Sequence, residues 1–168
     1  AFGASALSIL TEEDFFMGSV DYLKEVKKIT ALPILRKDFM IDEYQIYESK
    51  LIGADCILLI ASILSDQQIE DFINVAQQLE LDYLIEVHDE NELHRVEHFE
   101  DALIGINNRN LKTFEVDLDN SVRLRNVFKQ KNVFIAESGI KSREDINYLK
   151  LNNIKVFLIG ESLMRGSF

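Results

Sequence analysis

The sequence predicts an α/β fold of parallel strands, on three observations. Seven short apolar runs, at 6–10, 33–35, 56–60, 83–87, 102–106, 133–136 and 156–159, recur at about the 20- to 30-residue spacing of a strand–helix unit. Between them lie amphipathic stretches with helix-start signals. The runs are apolar at successive positions, as strands covered by helices on both faces are.

Each element follows from local chemistry. After the first run, Glu12-Glu13-Asp14 reads as a helix start facing water. Leu23, Val26 and Ile29 form a helical stripe over 20–30. Asp42 precedes a helix over 43–52, and Gly53 follows as its stop. Ser65 with Gln68 makes a capping box ahead of Ile69, Phe72, Ile73, Val75, Ala76 and Leu79. Asp89 with Glu92 makes a similar start before Leu93 and Val96, and Ser142 with Asp145 a looser one before Ile146 and Leu149. No change of composition interrupts the seven units, so residues 1–168 read as one domain. An open doubly wound sheet and a closed barrel both fit, and periodicity does not choose between them. No G-x-G-x-x-G follows the first run, which weakens a dinucleotide-binding version.

Composition narrows the function. A net charge of −11 argues against a general nucleic-acid or anionic-membrane surface, yet leaves room for an anionic small substrate. Backbone N–H groups and one or two local cations hold a phosphate whatever the net charge. No apolar run approaches the roughly 20 residues of a membrane span. The single cysteine, Cys56, lies in the longest apolar run and reads as core. One thiol makes no internal disulfide, which points to a reducing cytoplasm.

Chemistry concentrates where strands end. The run 33–35 leads into Arg36-Lys37-Asp38, 83–85 into Glu86-Val87-His88-Asp89, 103–106 into Asn107-Asn108-Arg109, 133–136 into Glu137-Ser138-Gly139, and 156–159 into Gly160-Glu161-Ser162. In a barrel, active-site residues come from these strand ends. Lys37 reads either as a solvated lysine or, among apolar walls, as a general acid of lowered pKa. Glu86 is freer for acid–base work than for capping, because Asp89 already opens the next helix. Asn107 and Arg109 face one way in extended chain, and an Arg fork suits a carboxylate or phosphate, with a surface ion pair as the alternative. The glycine turns on the last two strands sit where barrels commonly bind phosphate. His94 and His98 lack a third ligand and read as surface histidines, and His88 as a partly exposed loop histidine. No metal site is expected.

At these strand ends the sequence resembles the indole-3-glycerol-phosphate synthase family. The matching stretches are Leu35-Arg36-Lys37-Asp38-Phe39, Ile41-Asp42-Glu43-Tyr44-Gln45-Ile46-Tyr47-Glu48, Gly53-Ala54-Asp55, Glu86-Val87-His88, Ile106-Asn107-Asn108-Arg109-Asn110-Leu111, Glu137-Ser138-Gly139-Ile140 and Gly160-Glu161-Ser162-Leu163-Met164. The first and fifth are the specific ones; the Glu137-Ser138-Gly139 and Gly160-Glu161-Ser162 stretches are shared more widely among phosphate-binding barrels.

The resemblance implies a (β/α)8 TIM barrel and a cofactor-free reaction of tryptophan biosynthesis. That reaction is the decarboxylating, dehydrating ring closure of 1-(2-carboxyphenylamino)-1-deoxyribulose 5-phosphate. By resemblance, Lys37 protonates the carbonyl, Glu86 serves acid–base steps around dehydration, and Asn107 orients them. Arg109, Glu137 and Ser138 contact substrate, while Phe39, Leu58 and Leu111 form the pocket for its aromatic ring. Ser138, Gly139, Gly160 and Glu161 bind phosphate, largely through main-chain N–H groups. The partner is a small phosphorylated substrate, with no nucleic acid and no membrane. A monomer is expected, and fusion to or contact with a neighbouring pathway enzyme is the alternative.

The opening Phe2-Gly3-Ala4-Ser5-Ala6 resembles the approach to the family's second strand. The expectation is therefore about seven βα units, without the family's first strand and N-terminal helices and with a shortened last helix, and less than full activity. A sister sugar-phosphate isomerase and a non-enzymatic phosphate-binding barrel fragment are the competing readings.

Overall fold

The computed structural model describes residues 3–110 and 113–166. It divides into two compact units, 1–84 and 85–168, with the boundary inside a strand.

The first unit alternates β1 (Leu7–Leu10), α1 (Val20–Ile29), β2 (Ile34–Lys37), α2 (Tyr44–Ile52), β3 (Cys56–Ile60) and α3 (Asp66–Gln78). β1 pairs parallel with β2 from Leu7↔Ile34 to Leu10↔Lys37, and β2 pairs parallel with β3 at Leu35↔Cys56 and Arg36↔Ile57. Leu23 of α1 is fully buried with Ile34, Ile52 and Ala54, and Ile9, Val20 and Val26 close around them. Leu23 and Val26 of the stripe seen in sequence thus lie on the packing face, while Ile29 at the end of α1 is 84% exposed. α1 starts where the Ser19 hydroxyl accepts the Asp21 N–H, and α2 ends on left-handed Gly53. The Ser65–Gln68 capping box forms in full. Strand burial departs from expectation in β1, where half-buried and exposed residues alternate and Leu10 is 41% exposed. That is the pattern of a strand with one covered face.

The second unit follows β4 (Asp82–Val87), which straddles the boundary. It contains α4 (Glu90–Val96), β5 (Leu103–Asn107), α5 (Asp119–Val127), β6 (Phe134–Glu137), α6 (Arg143–Leu151), β7 (Val156–Leu158) and α7 (Glu161–Met164). β5 runs parallel to β6 from Ile104↔Phe134 to Asn107↔Glu137, and β6 parallel to β7 from Ile135↔Val156 to Glu137↔Leu158. Its core gathers Ala136, Ile140, Leu149 and Ile154, with Leu118, Val122, Ile146, Phe157 and Ile159 against them. The Ser142–Asp145 start proves to be a complete capping box. Among the described residues no helix is long and apolar enough to cross a membrane.

One expected helix start is absent. Glu12-Glu13-Asp14 lies in a loop that reaches to α1. The Glu12 carboxylate instead accepts the N–H groups of Asp14, Phe15 and Phe16 at 2.9, 2.7 and 2.9 Å. A side chain that caps three successive amides satisfies them without a helix. Gly18 then folds back on β1, where a Cβ would lie 2.3 Å from the Leu10 carbonyl oxygen.

Candidate active site

In the first unit the site residues flank the end of β2. Alternation along the strand separates Lys37 from its neighbours, so Arg36 and Asp38 turn inward together. Arg36 is 3% exposed and its guanidinium is spoken for on every side. Nη2 meets Asp38 Oδ2 at 2.9 Å and Glu48 Oε2 at 2.8 Å, while Nε donates to Thr11 Oγ1 at 3.0 Å. Nη1 donates to Ser49 Oγ and the Gln45 carbonyl, both at 3.2 Å. Thr11 Oγ1 donates to Asp38 Oδ2 at 2.6 Å, and the Thr11 N–H donates to the Lys37 carbonyl at 3.1 Å. This cluster fixes the strand end, and Lys37 stands partly buried on it.

Beyond Lys37, the Gln45 side chain clamps the turn into α2. Its Nε2 donates to the Phe39 carbonyl at 2.9 Å, and its Oε1 accepts the N–H groups of Ile41 and Asp42. Phe39 stacks on Phe16 at 4.9 Å and meets Phe15 edge-on at 6.0 Å, giving an aromatic surface beside the strand end. The expected ring contact from Leu58 needs correction: Leu58 is wholly buried in β3 and presents no surface to a ligand. Cys56 is half-buried, and burial pushes its thiol up to about 12, so it stays protonated.

The second unit assembles a chain of polar groups. Glu86, in β4, is 3% exposed. Its Oε1 accepts from Asn107 Nδ2 at 3.1 Å, and Asn107 Oδ1 accepts the Arg109 N–H at 3.0 Å. One amide therefore orients both the carboxylate and the backbone that carries the arginine. His88 lies in the loop, as expected, but its ring is only 16% exposed between two glutamates. Nδ1 lies 3.1 Å from Glu92 Oε2 and Nε2 lies 3.5 Å from Glu86 Oε1. Asp89 caps α4, so the Glu92 carboxylate turns back to the His88 N–H at 2.7 Å instead.

Glu137 ends β6, 2% exposed, paired in register with Asn107. Ser138 and Gly139 follow at φ +62° and +80°. Two left-handed residues in succession turn the chain sharply out of the strand. A Cβ at 139 would lie 2.0 Å from Val116 Cγ1, so glycine is demanded by space as well as by φ. Gly160 and Glu161 are exposed at the start of the four-residue α7. The Glu161 carboxylate sits 3.5 Å from Arg109 Nη2 and 3.1 Å from Arg165 Nη2. Leu111 lies outside the described residues.

Asn108 is a structural support to which strand-end reading assigned no role. It faces opposite to Asn107 and is 3% exposed. Its Oδ1 accepts from Ser121 N and Oγ at 3.1 and 2.7 Å, and its Nδ2 donates to the Ser138 carbonyl at 3.3 Å. It ties the turn after β6 to the end of β5. The alternation that pairs 107 with 109 is the signal that sends 108 inward. Among the described residues, no group of three His, Cys, Asp or Glu side chains is placed to hold a metal. His94 is exposed and pairs with Glu97 at 3.2 Å.

The fold has solved counterparts. The chain is similar to an N-acetylmannosamine-6-phosphate 2-epimerase from Clostridium perfringens, with a TM-score of 0.73 and 14% identity over 95% of this chain and 73% of that one. It is equally similar to a 3-hexulose-6-phosphate synthase from Salmonella typhimurium, with a TM-score of 0.74 and 15% identity over 94% and 78%. Likeness at this identity speaks for the fold alone, that of the (β/α)8-barrel class.

Sequence relatives narrow the class to one family. The family model for indole-3-glycerol phosphate synthase matches residues 1–167. The chain is 51% identical to the indole-3-glycerol phosphate synthase of Ruminiclostridium cellulolyticum over 99% of its own length, and 49% identical to that of Endomicrobium trichonymphae over 98%. It spans 64% of the length of each. The chain belongs to the indole-3-glycerol phosphate synthase family.

Proposed function

We propose that this chain supplies most of the catalytic domain of an enzyme converting 1-(2-carboxyphenylamino)-1-deoxyribulose 5-phosphate to indole-3-glycerol phosphate, carbon dioxide and water. The observation that carries the proposal is the Asn107–Glu86 hydrogen bond at 3.1 Å, made in a chain of this family. An amide donor aimed at a buried carboxylate orients an acid–base group, which this reaction requires.

The residues divide the chemistry between them. Lys37 gives a proton to the ketose oxygen as the aryl carbon attacks the carbonyl. Decarboxylation restores the aromatic ring, and Glu86 moves protons as the remaining hydroxyl leaves as water. Asn107 holds Glu86. Arg109 and Glu137 engage the substrate's polar groups, and Phe39 and Leu111 are assigned to its aromatic ring. The N–H groups of Ser138, Gly139, Gly160 and Glu161 face the phosphate. The proposed steps are proton transfers and electrostatic stabilisation, and call for no metal or organic cofactor. A phosphorylated metabolite as substrate, the −11 net charge and the lone thiol fit a cytoplasmic enzyme.

The test is fluorescence of the indole product after adding substrate in metal-free buffer, using the chain as it is and extended to the full length of its relatives. Lys37→Met is run beside them. Product formed by the extended protein, and reduced at least about 100-fold in the variant, is expected for loss of a general acid. A folded full-length protein that makes no product sinks the proposal.

A further inference from the structure

Two carboxylates flank the imidazole of His88, and a third adds its charge. From α4, Glu92 Oε2 lies 3.1 Å from Nδ1 and also accepts the His88 backbone N–H. From β4, Glu86 Oε1 lies 3.5 Å from Nε2, within ion-pair range though long for a hydrogen bond. From β6, Glu137 adds its negative field. From α5, Asn120 Nδ2 donates to the His88 carbonyl at 3.0 Å and fixes the loop. The nearby Arg123 is turned to Asn120 Oδ1 at 2.8 Å and Glu90 at 3.7 Å.

This geometry selects one state of the ring. An ionised carboxylate only accepts, and a neutral imidazole carries a single N–H. With a glutamate at each nitrogen, a neutral ring would turn a lone pair toward one of them. The imidazolium presents a donor to both. With the ring 16% exposed, water does little to screen that arrangement.

We infer that His88 is a positioning residue: as an imidazolium held by Glu92, it fixes the Glu86 carboxylate beside Asn107 and keeps it ionised for its acid–base steps. The inference rests on the ring-closure reading of Glu86. Burial opposes a charged ring here. The Glu92 hydrogen bond and the charges of Glu86, Glu92 and Glu137 outweigh it, and His88 titrates above its ordinary 6.5.

Two variants test this in the full-length protein. Glu92→Gln keeps the side chain's size and an acceptor for the His88 N–H, so it removes charge with little else. His88→Gln removes the cation. The first readout is the imidazole titration by NMR. Its midpoint should lie above 6.5 in the unaltered protein and move down in Glu92→Gln. The second readout is the pH profile of kcat/KM. A carboxylate that loses a neighbouring cation protonates at higher pH, so the acidic limb should move up in both variants. Expected with it is a fall in kcat of about tenfold, with KM within about twofold, since positioning acts on the chemical step. An ordinary His88 midpoint indifferent to Glu92→Gln overturns the inference. So does activity lost evenly across pH, the mark of a merely structural role. If the unaltered full-length protein forms no product, the ring-closure reading falls instead, and the imidazole titration still decides whether His88 is the charged bridge.

Discussion

Asn107 Nδ2 donates to Glu86 Oε1 at 3.1 Å while Asn107 Oδ1 accepts the Arg109 N–H at 3.0 Å, so a single amide couples the ends of β4 and β5. Asn107→Asp keeps the acceptor and replaces the donor by a second carboxylate. Like charges at this distance disfavour ionisation of the pair. The expected result is a kcat lower by roughly 10- to 100-fold, within the range that acid–base groups contribute. Its acidic limb should also move to higher pH. Asn107→Ala, which adds no charge, should lower kcat without that displacement. Steady-state kinetics between pH 5 and 9, a range of about two pH units around neutrality, distinguishes the two.

Arg36 presents a second kind of dependence. Its guanidinium meets Asp38 at 2.9 Å and Glu48 at 2.8 Å, all in a region where Arg36 is 3% and Asp38 6% exposed. Arg36→Met keeps the stem and strands two carboxylates. Breaking a buried pair by removing one partner costs about 3–5 kcal/mol. Urea unfolding followed by circular dichroism should show a loss of that size. The double variant Arg36→Met/Asp38→Asn should recover part of it, because one stranded charge is gone.

Side-chain-capped helix starts were readable from sequence because their signals are local, whereas α5 and α7 start without a side-chain cap. Ser65 with Gln68, and Ser142 with Asp145, lie three residues apart and form the bonds their spacing implies. The positions of Lys37, Glu86, Asn107 and Glu137 at strand ends were readable too, since polarity breaks an apolar run. Their partners were not. Arg36 reaches Thr11 and Glu48 across 25 and 12 positions, and Asn107 reaches Glu86 across 21, separations at which the pattern of one element carries no information. Glu12 misled for a related reason: an acidic run suits a helix start, but the same carboxylate also caps a bend, and Gly18's close return to Leu10 decides for the bend. His88 could be placed in a loop, but not between two glutamates.

Asp55 gives a pH-dependent stability of definite sign. Its Oδ2 accepts from Lys27 Nζ at 2.7 Å and from the Ile34 N–H at 2.8 Å. Partial burial raises its pKa, but Lys27 and the Ile34 amide outweigh that and hold it below the ordinary 3.8. A carboxyl whose folded pKa is depressed stabilises fully above its unfolded value and loses that contribution as pH falls through the folded one. Asp55→Asn should therefore lower the urea midpoint at pH 7, and the gap to the unaltered chain should close below 3.8. A gap that stays constant down to strong acid would show that Asp55 contributes through shape rather than charge.

Gly139 couples the turn after β6 to Val116, ahead of α5. It sits at φ +80°, directly after Ser138 at +62°, and a Cβ there would lie 2.0 Å from Val116 Cγ1. Gly139→Ala thus meets two obstacles at once, an unfavoured dihedral and a steric overlap. A left-handed alanine costs about 1 kcal/mol or more, and a forced contact of this kind typically about 1–3 kcal/mol. Val116→Ala removes the nearest overlapping atom but leaves the dihedral. Combined with Gly139→Ala it should restore the larger share of stability in urea unfolding. Phosphate affinity, read by isothermal titration, should recover less, because the Ser138 and Gly139 amides point where the φ angles send them. Full recovery of both would mean that packing against Val116, and not the left-handed turn, is what glycine serves at this position.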